Sequence, residues 1–307
     1  MDVRLRAGCA LFTLASASPS AAQTGESGLL GASLPLLRSA APAQDLMPPV
    51  VEGAPFLRGF AVSFATSMPL RTPSRLVSRG AGTQGERITR DSVAATLKYS
   101  PRDSWFARVT FVRLLHPEVK KPWDPDFTYS FGYDNWRPGK FSLTYDNYGG
   151  NRILPRGSER RTHFDEGSVS LGFKVPVPLR VQRIFSVSSE GGIGASLGAS
   201  VIPSWTDPAS RERRHWKTTF SAGVRWTIWR TYYAEIRAYA YPRAGERQAW
   251  NPDFTYGFGS FDWRRGKLSV QYANYAGNRF PWRPKAERDR ASGFRDGSLS
   301  ASWGWSW

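Results

Sequence analysis

WDPDFTYSFGYDNWRPGKFSLTYDNYGGNR, residues 123–152, recurs as WNPDFTYGFGSFDWRRGKLSVQYANYAGNR, residues 250–279. Nineteen of the 30 positions are identical at a constant offset of 127. Within the first copy Phe127, Tyr129, Phe131 and Tyr133 alternate with Thr128, Ser130, Gly132 and Asp134. After NWRPG the alternation resumes, Phe141, Leu143 and Tyr145 against Ser142, Thr144 and Asp146. A period of two on both sides of a Gly/Pro-containing turn predicts a β-hairpin with one apolar and one polar face. Outside the block the same offset carries Val93 onto Phe220, Leu97 onto Val224, Tyr99 onto Trp226 and Trp105 onto Tyr232. The chain thus reads as two homologous halves, either two like domains or the two sides of one closed structure.

Alternation of the same kind marks six strands in the first half: around 60–65, 93–99, 105–111, 126–134, 140–146 and 168–175. Six more are predicted at about 191–202, 217–228, 231–241, 252–261, 266–276 and 297–307. Links between them alternate in length. The short ones are PRD, NWRPG, WR and DWRRG, with a longer exception near 176–190; the long ones are about 68–90, 114–125, 151–165, 203–216, 241–251 and 277–295. Transmembrane barrels show this alternation, with short turns at the periplasmic end, and lipid outside requires the apolar face to point outward. The fold expected is all-β: a 12-stranded antiparallel transmembrane β-barrel formed from two homologous six-stranded halves, about 56–185 and 186–307. A secreted β-sandwich pair would also alternate, but its polar face would be rich in Lys and Glu rather than in Ser, Thr and Gly. In the last strand Trp303, Trp305 and the terminal Trp307 share a face. This ending resembles the C-terminal signal of Gram-negative outer-membrane β-barrel proteins, and the resemblance implies recognition by their assembly machinery.

Composition agrees with an exported barrel. The chain has 307 residues, 42 Lys or Arg against 25 Asp or Glu, and a formal charge of +17. Mean hydropathy is -0.44, and beyond the first 20 residues no apolar run approaches the roughly 20 needed for a helical span. Residues 1–22, with Arg4 and Arg6, the run AGCALFTLASA and Ser20, Ala21 and Ala22, read as a signal peptide. Export removes nucleic acid from the partners that a basic protein attracts, and takes Cys9, the single cysteine, with the leader. Residues 23–55, rich in Pro and Ala, read as a flexible periplasmic segment or a plug, and 56–307 as the barrel. The location expected is the outer membrane of a Gram-negative bacterium.

Charge is placed unevenly. The six long loops carry 22 Lys or Arg against 10 Asp or Glu, with Arg71, Arg75, Arg79, Arg87 and Arg90 in the first and six basic residues in the last. Basic loops suit the phosphates of lipopolysaccharide, or recruit anionic solutes to a funnel. Lys98, Arg108, Lys140, Lys174, Lys217, Arg225, Arg237 and Lys267 fall on the inward face, beside Asp126, Asp134, Asp146, Glu235 and Asp253. Of these, Lys98, Arg108, Lys174, Arg225 and Arg237 are the candidate lumen-lining binding residues. Many other inward positions are Ser or Gly, leaving room for water, a plug or a solute. Such a barrel is similar to the small porins that pass acidic oligosaccharides, though none of their motifs occurs here. A second candidate site repeats at the outer rim: Asp126, Tyr148, Asn151 and Arg152, then Asp253, Tyr275, Asn278 and Arg279. These groups could grip a sugar or tie the hairpin together, and their presence in both halves favours the tie.

No cofactor or metal is expected, because Gly-rich phosphate loops and metal-spaced clusters are absent from the sequence. Catalysis has one local candidate, His163 with Asp165 and Ser168, and neighbours on a strand face opposite ways. The function expected is a passive channel or binding barrel for anionic or polar saccharides. The alternatives are an accessory barrel of exopolysaccharide secretion, a lipopolysaccharide-anchored scaffold and, less favoured, a lipid A-modifying enzyme.

Overall fold

The computed structural model describes residues 59–71, 74–75, 87–88, 90–102, 104–117, 120, 124–135, 137–148, 151–153, 163–186, 191–206, 212–229, 231–243, 246–247, 251–262, 266–275, 277–285 and 293–306. The leader and lead-in segments, Trp136, the terminal Trp307 and much of the long loops, Arg79 included, lie outside them.

The strands are β1 (Phe60–Pro69), β2 (Ser74–Arg75), β3 (Arg87–Ile88), β4 (Ser92–Arg102), β5 (Trp105–Leu114), β6 (Phe127–Asp134) and β7 (Phe141–Asn147). They continue as β8 (Ser168–Val175), β9 (Gly192–Thr206), β10 (Arg213–Trp229), β11 (Tyr232–Ala240), β12 (Phe254–Ser260), β13 (Ser269–Asn274) and β14 (Ser298–Ser306). β2 and β3 pair only with each other in the first long loop; the other twelve form a closed antiparallel barrel in which every strand pairs with its neighbours in sequence. Closure is made by β1 against β14, from Ala61 opposite Ser306 to Pro69 opposite Ser298. No barrel strand is left with an open edge, so the backbone of the wall is satisfied internally, as a lipid environment demands.

The two faces have exchanged the roles they play in a water-soluble fold. Exposed large side chains are apolar and point outward, including Phe64, Leu97, Phe111, Phe131, Leu143, Leu171, Phe220, Ile236, Phe258 and Leu299. Buried ones are mostly polar and point inward, among them Ser63, Thr96, Ser130, Thr144, Ser170, Ser196, Thr255 and Ser300. At the short-turn end the outer surface carries an aromatic band. Trp105 meets Tyr133 at 5.6 Å, Phe141 meets Phe173 at 4.8 Å, Phe60 meets Tyr99 at 4.6 Å, and Trp303 meets Trp305 at 4.6 Å. An apolar belt bounded by aromatic rings is the surface that a bilayer and its interface require.

Strand register repeats between the halves. Tyr129 lies opposite Asn147 and Tyr256 opposite Asn274; Leu97 lies opposite Val109 and Val224 opposite Ile236. The turns of the two quoted hairpins use Gly139 and Gly266 at φ 75° and 66°, a left-handed conformation that glycine adopts without a Cβ clash. At the opposite end a 3-10 turn leads into the last strand of each half, at Phe164–Glu166 and Phe294–Asp296. Tyr145 Oη donates to the Phe164 carbonyl at 2.5 Å and Tyr272 Oη to that of Phe294 at 2.6 Å. The rings stack at 4.3 and 4.4 Å, so each long loop returning to β8 or β14 is latched to the barrel wall.

Three stretches differ from expectation. The first long loop, expected to hold no strand, contains the short β2–β3 pair, Ser74 opposite Ile88 and Arg75 opposite Arg87. The loop expected at 203–216 is largely strand, because β9 and β10 continue their pairing outward through Ser204–His215 and Thr206–Arg213. His215 therefore stands on a strand. The long link near 176–190 contains a helix, α1 (Leu179–Phe185). Gln182 holds it to the barrel by pairing with the backbone of Ile193 in both directions, at 2.6 and 3.0 Å, and Trp226 Nε1 donates to the Phe185 carbonyl at 2.7 Å.

Candidate functional site

The inner wall is built by every second residue of the twelve barrel strands, so its chemistry follows directly from strand register. Lys98, Arg108, Lys174, Lys217 and Arg237 are each at most 9% exposed, and the Arg225 side chain is 12% exposed. Against these six cations stand three carboxylates on the membrane strands, Asp134, Asp146 and Glu235. Arg108 reaches Ser130 at 2.9 Å and Asp146 at 3.8 Å, and Arg225 reaches Glu235 at 3.6 Å. Both halves set an aromatic ring beneath the basic groups. Phe106 lies 5.3 Å from Lys98 Nζ and 5.9 Å from the Arg108 guanidinium; one offset later Tyr233 lies 3.7 Å from the Arg225 guanidinium. Such a ring face attracts a cation and limits its rotamers. Lys217 donates to Asn251 at 3.1 Å and lies 5.0 Å over Trp205.

Lys98, Arg108, Lys174, Arg225 and Arg237 stand on the inner wall, whereas Lys140 and Lys267, also expected to face inward, do not. Both stand exposed in the turns ahead of β7 and β13. The alternation that placed them inward stops at the strand end, where the backbone leaves the pleat.

Between β6 and β11 the inner wall holds a small open recess. Asp134, Lys174 and Arg237 line it, with Ser142, Thr144, Ser170, Ser196, Ser200, Thr219 and Ser221 between them. Its free space suits water-sized groups and is far smaller than the roughly 300–1,000 Å³ of a typical ligand pocket. Its lining is far more hydroxylic than such pockets usually are.

At the rim the repeated cluster separates into two parts. Asp126 pairs with Lys120, lies 3.5 Å from Arg152, and accepts from the Ile153 backbone at 3.2 Å. Asp253 is fully buried among three guanidiniums, Arg283 at 2.9 Å, Arg247 at 3.4 Å and Arg279 at 3.9 Å. Asn151 and Asn278 turn to the side-chain oxygens of Asn147 and Asn274, each at 3.0 Å. The backbones of Asp126 and Asp253 donate to the carbonyls of Asn151 and Asn278 at 2.7 and 2.8 Å. This is a tie between the loop entering β6 or β12 and the one leaving β7 or β13. Tyr148 is not part of it. Its hydroxyl donates to Asp146 and lies 3.4 Å from Arg108, on the inner wall. Lys120, Arg247 and Arg283 were missed at the sequence level, since they come from loops whose return path alternation does not encode.

Burial pushes the Asp126 carboxyl up, but the bond from Lys120, the Ile153 amide and the charges of Lys120 and Arg152 outweigh it and hold the group below its ordinary range. A depressed carboxylate stabilises the fold above its unfolded pKa, about 3.9, and that contribution is lost as pH falls through the lower folded value. Amide exchange at Asp126 and Ile153, corrected for intrinsic rates, should therefore accelerate as pH drops below about 4. Asp126→Asn should remove this pH dependence; an unchanged profile in that variant would assign it to another group.

The residues of the catalytic candidate do not converge. Asp165 pairs with Arg213, His163 is exposed at the loop, and Ser168 is buried on the inner wall.

Fold and inner wall together define a transmembrane β-barrel with a polar, predominantly basic interior. No family model matches this chain, and no curated protein matches it. Among solved structures, an outer membrane channel from Pseudomonas putida F1 is similar, at 13% identity and a TM-score of 0.37, over 85% of this chain and 100% of that one. At so low a TM-score the likeness says nothing about what this chain carries.

Proposed function

We propose that the protein is an outer-membrane channel of a Gram-negative bacterium that passes or holds polar, anionic solutes, saccharides among them. The observation that carries this reading is the inner wall, where five buried cations and the half-buried Arg225 face three carboxylates across a surface of Ser, Thr and Gly. Fixed charge inside a low-dielectric barrel concentrates the opposite ion, and small hydroxylated side chains leave space for it. The basic loops fit the phosphates of lipopolysaccharide, and the outward Trp303 and Trp305 of β14 fit recognition by the barrel-assembly machinery.

Conductance in planar bilayers tests the reading. Open events should be anion-selective, with a preference that fades as salt screens the wall. Neutral residues at Lys98, Arg108, Arg225 and Arg237 should reduce that preference. Cation selectivity would overturn the electrostatic argument, and absence of conductance in a folded protein would favour an accessory or scaffolding barrel instead. Orientation is tested separately: cysteines at Ser158 and Ser292 should label on intact cells and one at Gly139 should not. The reverse pattern would turn the basic loops toward the periplasm.

A further inference from the structure

We propose that α1 is a lipid-docking element of the periplasmic rim, and that Arg180 and Arg183 on its free face take the phosphate of an anionic phospholipid. This role is independent of whether the barrel conducts, and its leaflet follows from the short-turn end facing the periplasm.

β8 ends at Val175 because Pro176 and Pro178 follow, and a proline has no amide to give a ladder. β9 pairs with β10 from Gly192 but with β8 only from Ala195. Beyond the β8 ladder the N–H and C=O of Ile193 are taken instead by the Gln182 side-chain amide, at 3.0 and 2.6 Å. Ile193 stands opposite Trp226 on β10, and Trp226 shares its face with Phe220 and Val224, which are exposed on the lipid side. Trp226 Nε1 donates to the Phe185 carbonyl at 2.7 Å, and the two rings meet edge-on at 6.5 Å. α1 is thus held against the outside of the wall and not in the lumen.

Depth is marked by the next turn, where Trp229 and Tyr232 are 62% and 52% exposed and stack at 6.3 Å. Such amphipathic rings sit at the headgroup layer. Successive residues of an α-helix turn by about 100°. Val181, Gln182 and Phe185 therefore share the face toward the wall, and the free face runs Leu179, Arg183, Arg180, Ile184. Leu179 is 63% and Ile184 78% exposed, and both arginines are exposed beside them. The helix carries no acidic residue, and among the described residues no carboxylate pairs with either arginine. Water leaves two large apolar side chains uncovered, whereas the first lipid layer around the barrel covers both. Between them the guanidiniums, three residues apart and so neighbours on the helix surface, match the paired oxygens of a phosphate. A basic face flanked by apolar side chains, lying at headgroup depth, is what an anionic lipid surface binds.

A Cys9→Ser, Ile184→Cys protein carrying the apolar fluorophore bimane, reconstituted in phosphatidylcholine vesicles, provides the test. Bimane emission should be quenched by lipid brominated near the top of its acyl chain and protected from aqueous iodide. Titrated by mole fraction, brominated phosphatidylglycerol should associate roughly twentyfold more strongly than brominated phosphatidylcholine, about fivefold from each arginine. Arg180→Gln with Arg183→Gln should bring the two lipids to near equality. Arg180→Lys with Arg183→Lys, which keeps the charge, should retain most of the preference. Heat-modifiable gel migration reports the folding of each variant. Iodide quenching without lipid quenching would place α1 in water and overturn the docking site. Equal association of the two lipids in the parent protein, or an unchanged preference in the folded glutamine variant, would overturn it as well. Preference for phosphatidylglycerol in a protein that never conducts would support the docking site and sink the channel reading alone.

Discussion

Asp253→Ala should destabilise the barrel by roughly 3–5 kcal/mol, the usual cost of removing one partner from a buried ionic cluster. Asp253 is fully buried, and Arg247, Arg279 and Arg283 all lie within 4 Å of it. Without the carboxylate, three guanidiniums share a site with little water to screen them. The loss also releases the Phe280 amide, which donates to Asp253 at 3.1 Å, and so frees the loop leaving β13. The equivalent Asp126→Ala change should cost only about 1 kcal/mol, because its side chain is 22% exposed and solvent takes over part of its role. Urea midpoints of the folded barrel in detergent, followed by heat-modifiable gel migration, provide the comparison. Equal losses at the two positions would show that burial of the cluster does not set its energetic weight.

Leu171→Arg should cost about 2–4 kcal/mol in a bilayer, while Ser170→Arg, one residue earlier on β8, should be far milder. The side chains of neighbouring residues point to opposite faces. Leu171 is 49% exposed on the outer belt, and Ser170 faces the interior recess. A guanidinium on the lipid side must drag water into hydrocarbon or snorkel from mid-strand, whereas inside it enters a polar recess lined by Asp134 and by Ser and Thr hydroxyls. Folding titrations in lipid vesicles should rank the variants in that order. The reverse ranking would mean that the apolar face points inward, and would remove the basis for reading this barrel as membrane-spanning.

Much of the fold was legible without coordinates, because a barrel wall is written in a period of two. Phe131 and Tyr145 outward, Ser130 and Thr144 inward, and the Gly-containing turns at Gly139 and Gly266 all follow from local alternation and turn chemistry. The same rule placed Lys98, Arg108, Lys174, Arg225 and Arg237 on the inner wall. It failed at Lys140 and Lys267, which stand just past the strand ends, and at 203–216, where Pro203, Asp207 and Pro208 read as loop although β9 and β10 extend through most of the stretch. Helix α1 is seven residues long, too short for a helical period to stand out, and is held by Ile193, through Gln182, and by Trp226, both from outside the segment.

The sequence by itself determined the number of barrel strands, the facing of nearly every barrel-strand residue and the concentration of basic charge, since each depends on neighbours one or two residues away. Tertiary structure alone decided which charges meet. The three arginines around Asp253, the turn of Tyr148 toward Arg108 and Asp146, and the pairing of Asp165 with Arg213 are contacts between segments tens of residues apart. Their partners are chosen by strand register and by the return path of the loops, and neither is a property of any local stretch of chain.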